Sequence, residues 1–253
     1  ETMSNDTSKP AFSTYGVYSI DENLDLFLPN NEIRIERIGE NAYSYLRKNS
    51  DGQIIEKIIP VKSNQLKIEL APIRPLNYPA RRTGNVFLKF DKEIYLSPDS
   101  AANIFVHCPI EIGIFLAHNS NKESLDWFTC DPLNSRFGFY GSPDSGSLCK
   151  YAKVSLATDL VDSTPYVEGV MKITVENNLN SGQTVSKVIF SITNNSLYYE
   201  HSKSILDGIK VTMKKRAAVS IADVQTELLD TNWTKSPDWE DSTTKSSMEM
   251  GLE

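Results

Sequence analysis

Hydrophobic and polar positions alternate with a period of two along most of the chain, the pattern of strands that turn successive side chains to a core and to solvent. Between Val170 and Asn177, Met171, Ile173 and Val175 interleave with Lys172, Thr174 and Glu176, which predicts one buried and one wetted face. Short apolar or alternating runs at Tyr15–Ile20, Leu24–Leu28, Ile33–Ile38, Ala42–Arg47, Ile54–Ile59 and Leu66–Leu70 are separated by turn-forming groups such as Pro29-Asn30-Asn31 and Asn49-Ser50-Asp51-Gly52. Asp51-Gly52 is the strongest hairpin signal, because glycine tolerates the positive φ that tight turns demand. Turns roughly 8–12 residues apart point to an all-β sandwich or barrel.

Three prolines, Pro72, Pro75 and Pro79, interrupt the pattern, since each lacks an amide donor and restricts its predecessor. They mark the expected connection between two β units. Further runs follow at Val86–Leu96, Asn103–Leu116, Leu125–Phe128, Phe137–Tyr140, Leu148–Val154, Val170–Asn177, Val185–Ile192, Ile209–Met213 and Ala217–Val224. The expectation is an all-β protein of two packed sandwich or barrel-like units with few helices, spanning 13–72 and 80–224. From Thr231 the composition turns to Ser, Thr, Lys, Asp and Glu around isolated Trp233 and Trp239. Residues 231–253 read as a mobile polar tail, with Leu252-Glu253 as a cloning scar.

Composition narrows the function classes. The 253 residues are 40% hydrophobic, enough for a sizeable core without staples, and carry 33 acidic against 26 basic side chains for a net charge of −7. Such a balance gives no general attraction to phosphate backbones, so a nucleic-acid binder would need a local patch. The basic concentrations visible in sequence, Arg74 with Arg81-Arg82 and Lys210 with Lys214-Lys215-Arg216, read as solvated strand ends, and no nucleic-acid partner is expected. No run reaches the ~18 apolar residues of a membrane-spanning helix, and the amino terminus shows no apolar signal segment. Three cysteines, Cys108, Cys130 and Cys149, leave at least one thiol unpaired and lack C-x-x-C spacing. A reduced, cytoplasmic setting without metal or cofactor is the simplest expectation.

The segment Ile104–Tyr151 carries the chemistry. Phe105, Val106, Ile110, Ile112, Ile114, Phe115 and Leu116 make both faces apolar, the mark of a central strand bent where Pro109 removes a ladder bond. Glu111 within it must find a cation or donors, because an unpaired buried charge is too costly. Lys150 and Arg136 are the candidate partners, and Asp126 is a second acid in apolar surroundings. A ligand pocket containing Glu111, Asp126, Arg136, Tyr140 and Lys150 is one reading; a structural ion pair is the plainer one. The loop Gly141–Gly146 between two short runs suits a hairpin, with Ser142 and Ser145 at the pocket rim. It has neither a Walker ending nor a nucleophile elbow. His107, His118 and His201 earn no role, and adjacent His107 and Cys108 would point to opposite faces of a strand, which disfavours a shared metal.

Pro109-Ile110-Glu111-Ile112-Gly113, Leu125-Asp126-Trp127-Phe128, Phe139-Tyr140-Gly141-Ser142-Pro143, Gly146 and Cys149-Lys150-Tyr151 resemble the core pattern of an uncharacterised, mainly archaeal family known as domain of unknown function 432. The likeness covers Tyr15 to about Val224. It implies a cytoplasmic protein without an established activity, in a family associated with genes for small mechanosensitive channels, and hence an accessory role. It assigns no catalytic residue.

The expected function is therefore a binding or accessory protein for a small ligand or a protein partner, built on a cleft between the units. The alternative is a hydrolase or lyase acting on a small or carbohydrate-like substrate through Glu111 and Asp126 as a carboxylate pair, which requires both acids to face one cavity.

Overall fold

A computed structural model of the chain describes residues 10–77, 83–118 and 120–239. The described chain is strand after strand: β1 (Gly16–Ile20), β2 (Asn23–Leu28), β3 (Asn31–Gly39), β4 (Ala42–Asn49), β5 (Ile54–Pro60), β6 (Leu66–Ile73), β7 (Asn85–Leu96), β8 (Ser100–Pro109), β9 (Glu111–His118) and β10 (Asn121–Phe128). After a single 3₁₀ turn at Pro132–Asn134 come β11 (Arg136–Tyr140), β12 (Ser147–Val154), β13 (Leu156–Ala157), β14 (Glu168–Asn177), β15 (Gln183–Ser191), β16 (Leu197–Glu200), β17 (Lys203–Leu206), β18 (Gly208–Arg216), β19 (Val219–Glu227) and β20 (Thr234–Lys235). The all-β class read from the period-two pattern holds.

Two cores form. In the first, the meander β2-β3-β4-β5 packs on the sheet β1-β6-β9-β10. Leu26, Ile33, Ile35, Tyr43 and Tyr45 meet Ile68, Leu70, Ile112, Ile114 and Phe128 there. Full burial of each such side chain contributes about 1.5–3 kcal/mol before chain entropy is subtracted. Tyr43 stays in the core because its hydroxyl donates to the Ile20 and Asp21 carbonyls, each at 2.9 Å. The β4–β5 hairpin turns through Gly52 at φ +83°, where the absent Cβ makes the left-handed backbone cheap.

In the second core, the sheet β11-β12-β7-β15 lies over a larger sheet that includes β8, β14 and β18. Val86, Leu88, Phe90 and Val188 face Val106, Met171, Ile173 and Ile209 across it. The strand β16 serves both cores, with Leu197 in the second and Tyr199 in the first.

Chain order and packing order diverge at one place. The apolar run Asn103–Leu116 is two strands: β8 ends at Pro109, the Ile110 amide donates to the Val167 carbonyl at 3.1 Å, and β9 continues in a different sheet. Missing its amide, Pro109 ends the ladder, and the chain uses the break to change sheets. The β9–β10 hairpin therefore completes the first core, pairing along β6 from Ile68↔Leu116 to Ile73↔Glu111. The sequence division at 72 and 80 does not separate the two cores. Pro72, read as a breaker, lies inside β6 opposite Ile112, where the pairing with β1 has already ended at Leu70 and a donor is no longer needed on that side.

The tail expectation also changes. Thr234 and Lys235 pair with Tyr199 and Tyr198 of β16, the Ser236 amide donates to the Leu197 carbonyl at 2.8 Å, and Asp238 meets Arg74 at 2.9 Å. Trp239 sits edge-on to Phe115 at 5.8 Å. Backbone pairing plus one buried ring contact offsets the ordering cost that the polar composition alone suggested. Residues 240–253, including Leu252-Glu253, lie outside the described residues, as do Arg81 and Arg82.

Candidate functional site

A cavity of about 340 Å³ opens where the two cores meet, lined by residues from β8, β9, β12, β14 and the 3₁₀ turn. Glu111 enters it as the first residue of β9, immediately after the sheet change. Its carboxylate accepts the Asn77 amide at 2.7 Å and is only 2% exposed. Lys150 comes from β12, on whose inner face it pairs in register with the core residue Val86; it is 3% exposed. Its ammonium hydrogen bonds to the Ser135 hydroxyl at the end of the 3₁₀ turn and lies over the Phe137 ring at 5.5 Å. Burial pulls the Lys150 ammonium below the ordinary lysine range, and the Glu111 carboxylate works against that pull.

The other acids on the wall are engaged. Glu168 lies 3.4 Å from His107, and both Asp131 oxygens accept from the Asn134 amide at 2.9 and 3.1 Å. Arg136 and Lys153 are among the residues bordering the cavity, but register sets both side chains on the outer face of the sheet, with Tyr151 and Lys89, away from Lys150. A desolvated lysine beside acids that already hold donors suits an incoming anionic group.

Asp126 is elsewhere. It lines a second cavity of about 310 Å³, with Asn31, Arg47 and Lys57. The two cavities share Thr129 on their walls, but register sets the acids on opposite faces of one sheet. Residues directly opposite in an antiparallel pair share a face, so Asp126, opposite Ile114, points away from Glu111, three residues earlier on β9. A one-residue bulge at Leu125 causes this, because Ser124 pairs with Phe115 and Asp126 already with Ile114. Without it Asp126 would fall on the Glu111 face. The carboxylate pair required by the hydrolase alternative is thus not assembled.

Asp126 is instead saturated. It accepts the Tyr45 hydroxyl at 2.6 Å, Arg47 Nε at 2.6 Å and Nη2 at 3.3 Å, and the Trp127 amide at 2.8 Å. Arg47 spreads over the Phe128 ring at 4.8 Å and also reaches Asn31. Burial, then the Asp126 charge, raises the Tyr45 phenol well above its usual value and keeps it a donor.

The remaining predicted residues divide. Arg136 borders the first cavity but shares with Tyr140 the outer face of the sheet, where Tyr140 lies 5.8 Å from Phe87. Ser142 and Ser145 bond to each other at 2.7 Å in an exposed turn and do not line the first cavity. All three cysteines are buried and free, and burial pushes the Cys108 thiol up to about 12. Among the described residues no three His, Cys, Asp or Glu side chains are grouped to hold a metal, and no helix is long and apolar enough to cross a membrane.

Ser135 and Asn77, which hold Lys150 and Glu111, carry no sequence signal. Nor does Glu69, a further buried acid that accepts the Tyr199 hydroxyl at 2.7 Å and pairs with Lys122. The family described as "Protein of unknown function (DUF432)" matches residues 14–250. The chain belongs to this family. No curated protein and no solved structure matches the chain, so for this DUF432 protein the geometry of the site is what speaks to function.

Proposed function

We propose that the protein is a binding module, with an accessory rather than catalytic role, that takes a small molecule bearing a carboxylate or phosphate into the cavity between its two cores. One observation carries the reading: Lys150 is held almost wholly buried on the cavity wall at a cost in desolvation that an apolar side chain would avoid. A ligand anion landing on Lys150 would offset that cost, with Ser135 orienting the ammonium. Glu111, fixed by the Asn77 amide, keeps the lysine aimed and rejects anions that approach from its side.

A thermal-shift screen of small carboxylates and phosphate esters tests the reading. Saturation at about 100 times Kd raises stability by about 2.7 kcal/mol, and Lys150→Met abolishes the shift while Ser135→Ala weakens it. A panel that never moves the wild-type melting point, or a shift that survives Lys150→Met, overturns the reading.

A further inference from the structure

The outer face of the sheet β11-β12-β7-β15 carries a row of like charges. Lys153 is the register partner of Lys89, and Lys89 is the register partner of Lys187. Three lysines thus lie side by side on three adjacent strands, about 5 Å from one to the next. All three are exposed, and no ion pair to any of them is formed among the described residues. Like charges directly opposite each other on a sheet are destabilising, and two of these strands are interior to the sheet, so edge protection does not explain them.

The next row toward the hairpin end is aromatic. Arg136, Tyr151, Phe87 and Ile189 are consecutive register partners. Tyr151 stands edge-on to Phe87 at 5.3 Å, Tyr140 reaches to 5.8 Å from the same ring, and Lys187 lies over Tyr140 at 5.2 Å. Asp91, two residues beyond Lys89 on the same strand, spends an oxygen on the Leu156 amide at 3.1 Å. The face therefore holds four cations and a cluster of rings in a protein of net charge −7.

We propose that this face binds single-stranded nucleic acid. Lysines spaced along a sheet meet successive phosphates, and adjacent rings offer stacking platforms that every base can use. A duplex would hide its bases from the rings, and a folded acidic partner would have no use for them. The expectation of no nucleic-acid partner rested on whole-chain charge and on basic runs local in sequence, neither of which shows this patch. The patch itself is invisible in sequence, because its lysines are 34 to 98 positions apart and only register joins them.

Fluorescence anisotropy of the full chain with labelled oligo(dT) and oligo(U) of about 15 nucleotides provides the test. Three phosphate contacts predict a slope of about −2 in log affinity against log salt, or about twentyfold weaker binding between about 50 and 200 mM. Lys89→Gln with Lys187→Gln should flatten the slope to about −0.7 without lowering the melting temperature, since the pair repels. Tyr140→Ala should weaken binding about five- to a hundredfold with the slope unchanged. The proposal is overturned by no oligonucleotide binding at low salt, by a slope that ignores the two lysines, or by affinity that ignores Tyr140. Capture by anionic phospholipid vesicles in place of either oligonucleotide also overturns it.

Discussion

Two buried carboxylate–cation pairs flank Thr129, and they are built to opposite ends. Around Asp126 each partner is spent: tyrosine, arginine and backbone amide close on the acid, and the guanidinium is sandwiched against Phe128 and Asn31. Around Glu111 the acid is fixed by the Asn77 amide, while the lysine is desolvated, lowered in pKa and set on a cavity wall. The first arrangement recovers its desolvation cost within the protein. In the second, burial outweighs the pull of the acid and the lysine pKa falls, which is where the proposed ligand would act. A buried charge pair is thus not one kind of signal: two hydrogen bonds join Arg47 to Asp126, whereas burial outweighs the pull of Glu111 on Lys150.

The largest test of this contrast is Asp126→Ala, which strands Arg47 and the Tyr45 hydroxyl in the first core. Losing one partner of a buried pair costs about 3–5 kcal/mol, read as a lower urea midpoint. A double-mutant cycle with Arg47→Met should recover a large part of the loss, because the stranded charge leaves with the arginine. A loss under about 1 kcal/mol would mean that water reaches Arg47, and the scaffold reading of this pair would fail.

Much of this architecture was legible because strands that bury one face must alternate, so Val170–Asn177 and the Asp51-Gly52 hairpin could be placed from letters alone. The strand β17 was not read: at four residues it is too short for a period to show. Glu69 was missed for a different reason. Lys67 is exposed on the same side of β6, so alternation points Glu69 to solvent, whereas the second half of that strand is covered on both faces. The Glu111–Lys150 neighbourhood was anticipated because a charge inside an apolar run demands a partner. Asp126 was misplaced by one bulge at Leu125, and a bulge leaves no mark in the alternation of a run only four residues long. Arg47, the actual partner of Asp126, is 79 positions away, and no local pattern links the two.

A smaller effect is expected from Trp239→Ala. The indole covers Phe115 on the Glu111 face of the central sheet, and the strap behind it is tied by Asp238 to Arg74 and by Ser236 to Leu197. Loss of the ring pair and its buried area should cost about 1–2 kcal/mol and raise hydrogen exchange of the Ser236 amide. If stability is unchanged, the strap does not support this face, and the Glu111 region stands on β-pairing alone.

The smallest shift, and the one that separates the two pairs most sharply, comes from Glu111→Gln combined with Lys150→Met. The glutamine keeps an acceptor for the Asn77 amide, and the methionine fills the lysine's path, so the double variant should lie within about 1 kcal/mol of wild type, on the stable side. Its pH dependence carries the signature. Lys150 has a folded pKa below its unfolded value near 10.5, so below the folded pKa the native state bears the full penalty of a buried ammonium. As pH rises toward 10.5 the native lysine loses its proton before the unfolded one does, the unfolded state binds more protons, and wild-type stability gains. Other groups move oppositely: the Cys108 thiol, raised to about 12 when folded, lets the unfolded state ionise first above its ordinary value of 9.0 and lowers stability there. Subtracting the double-variant curve from the wild-type curve between about pH 8 and 10.5 removes that shared background. The difference should favour the variant most at pH 8 and shrink as pH rises; a flat difference would mean that Lys150 is solvated after all, and would place it with the ordinary surface lysines.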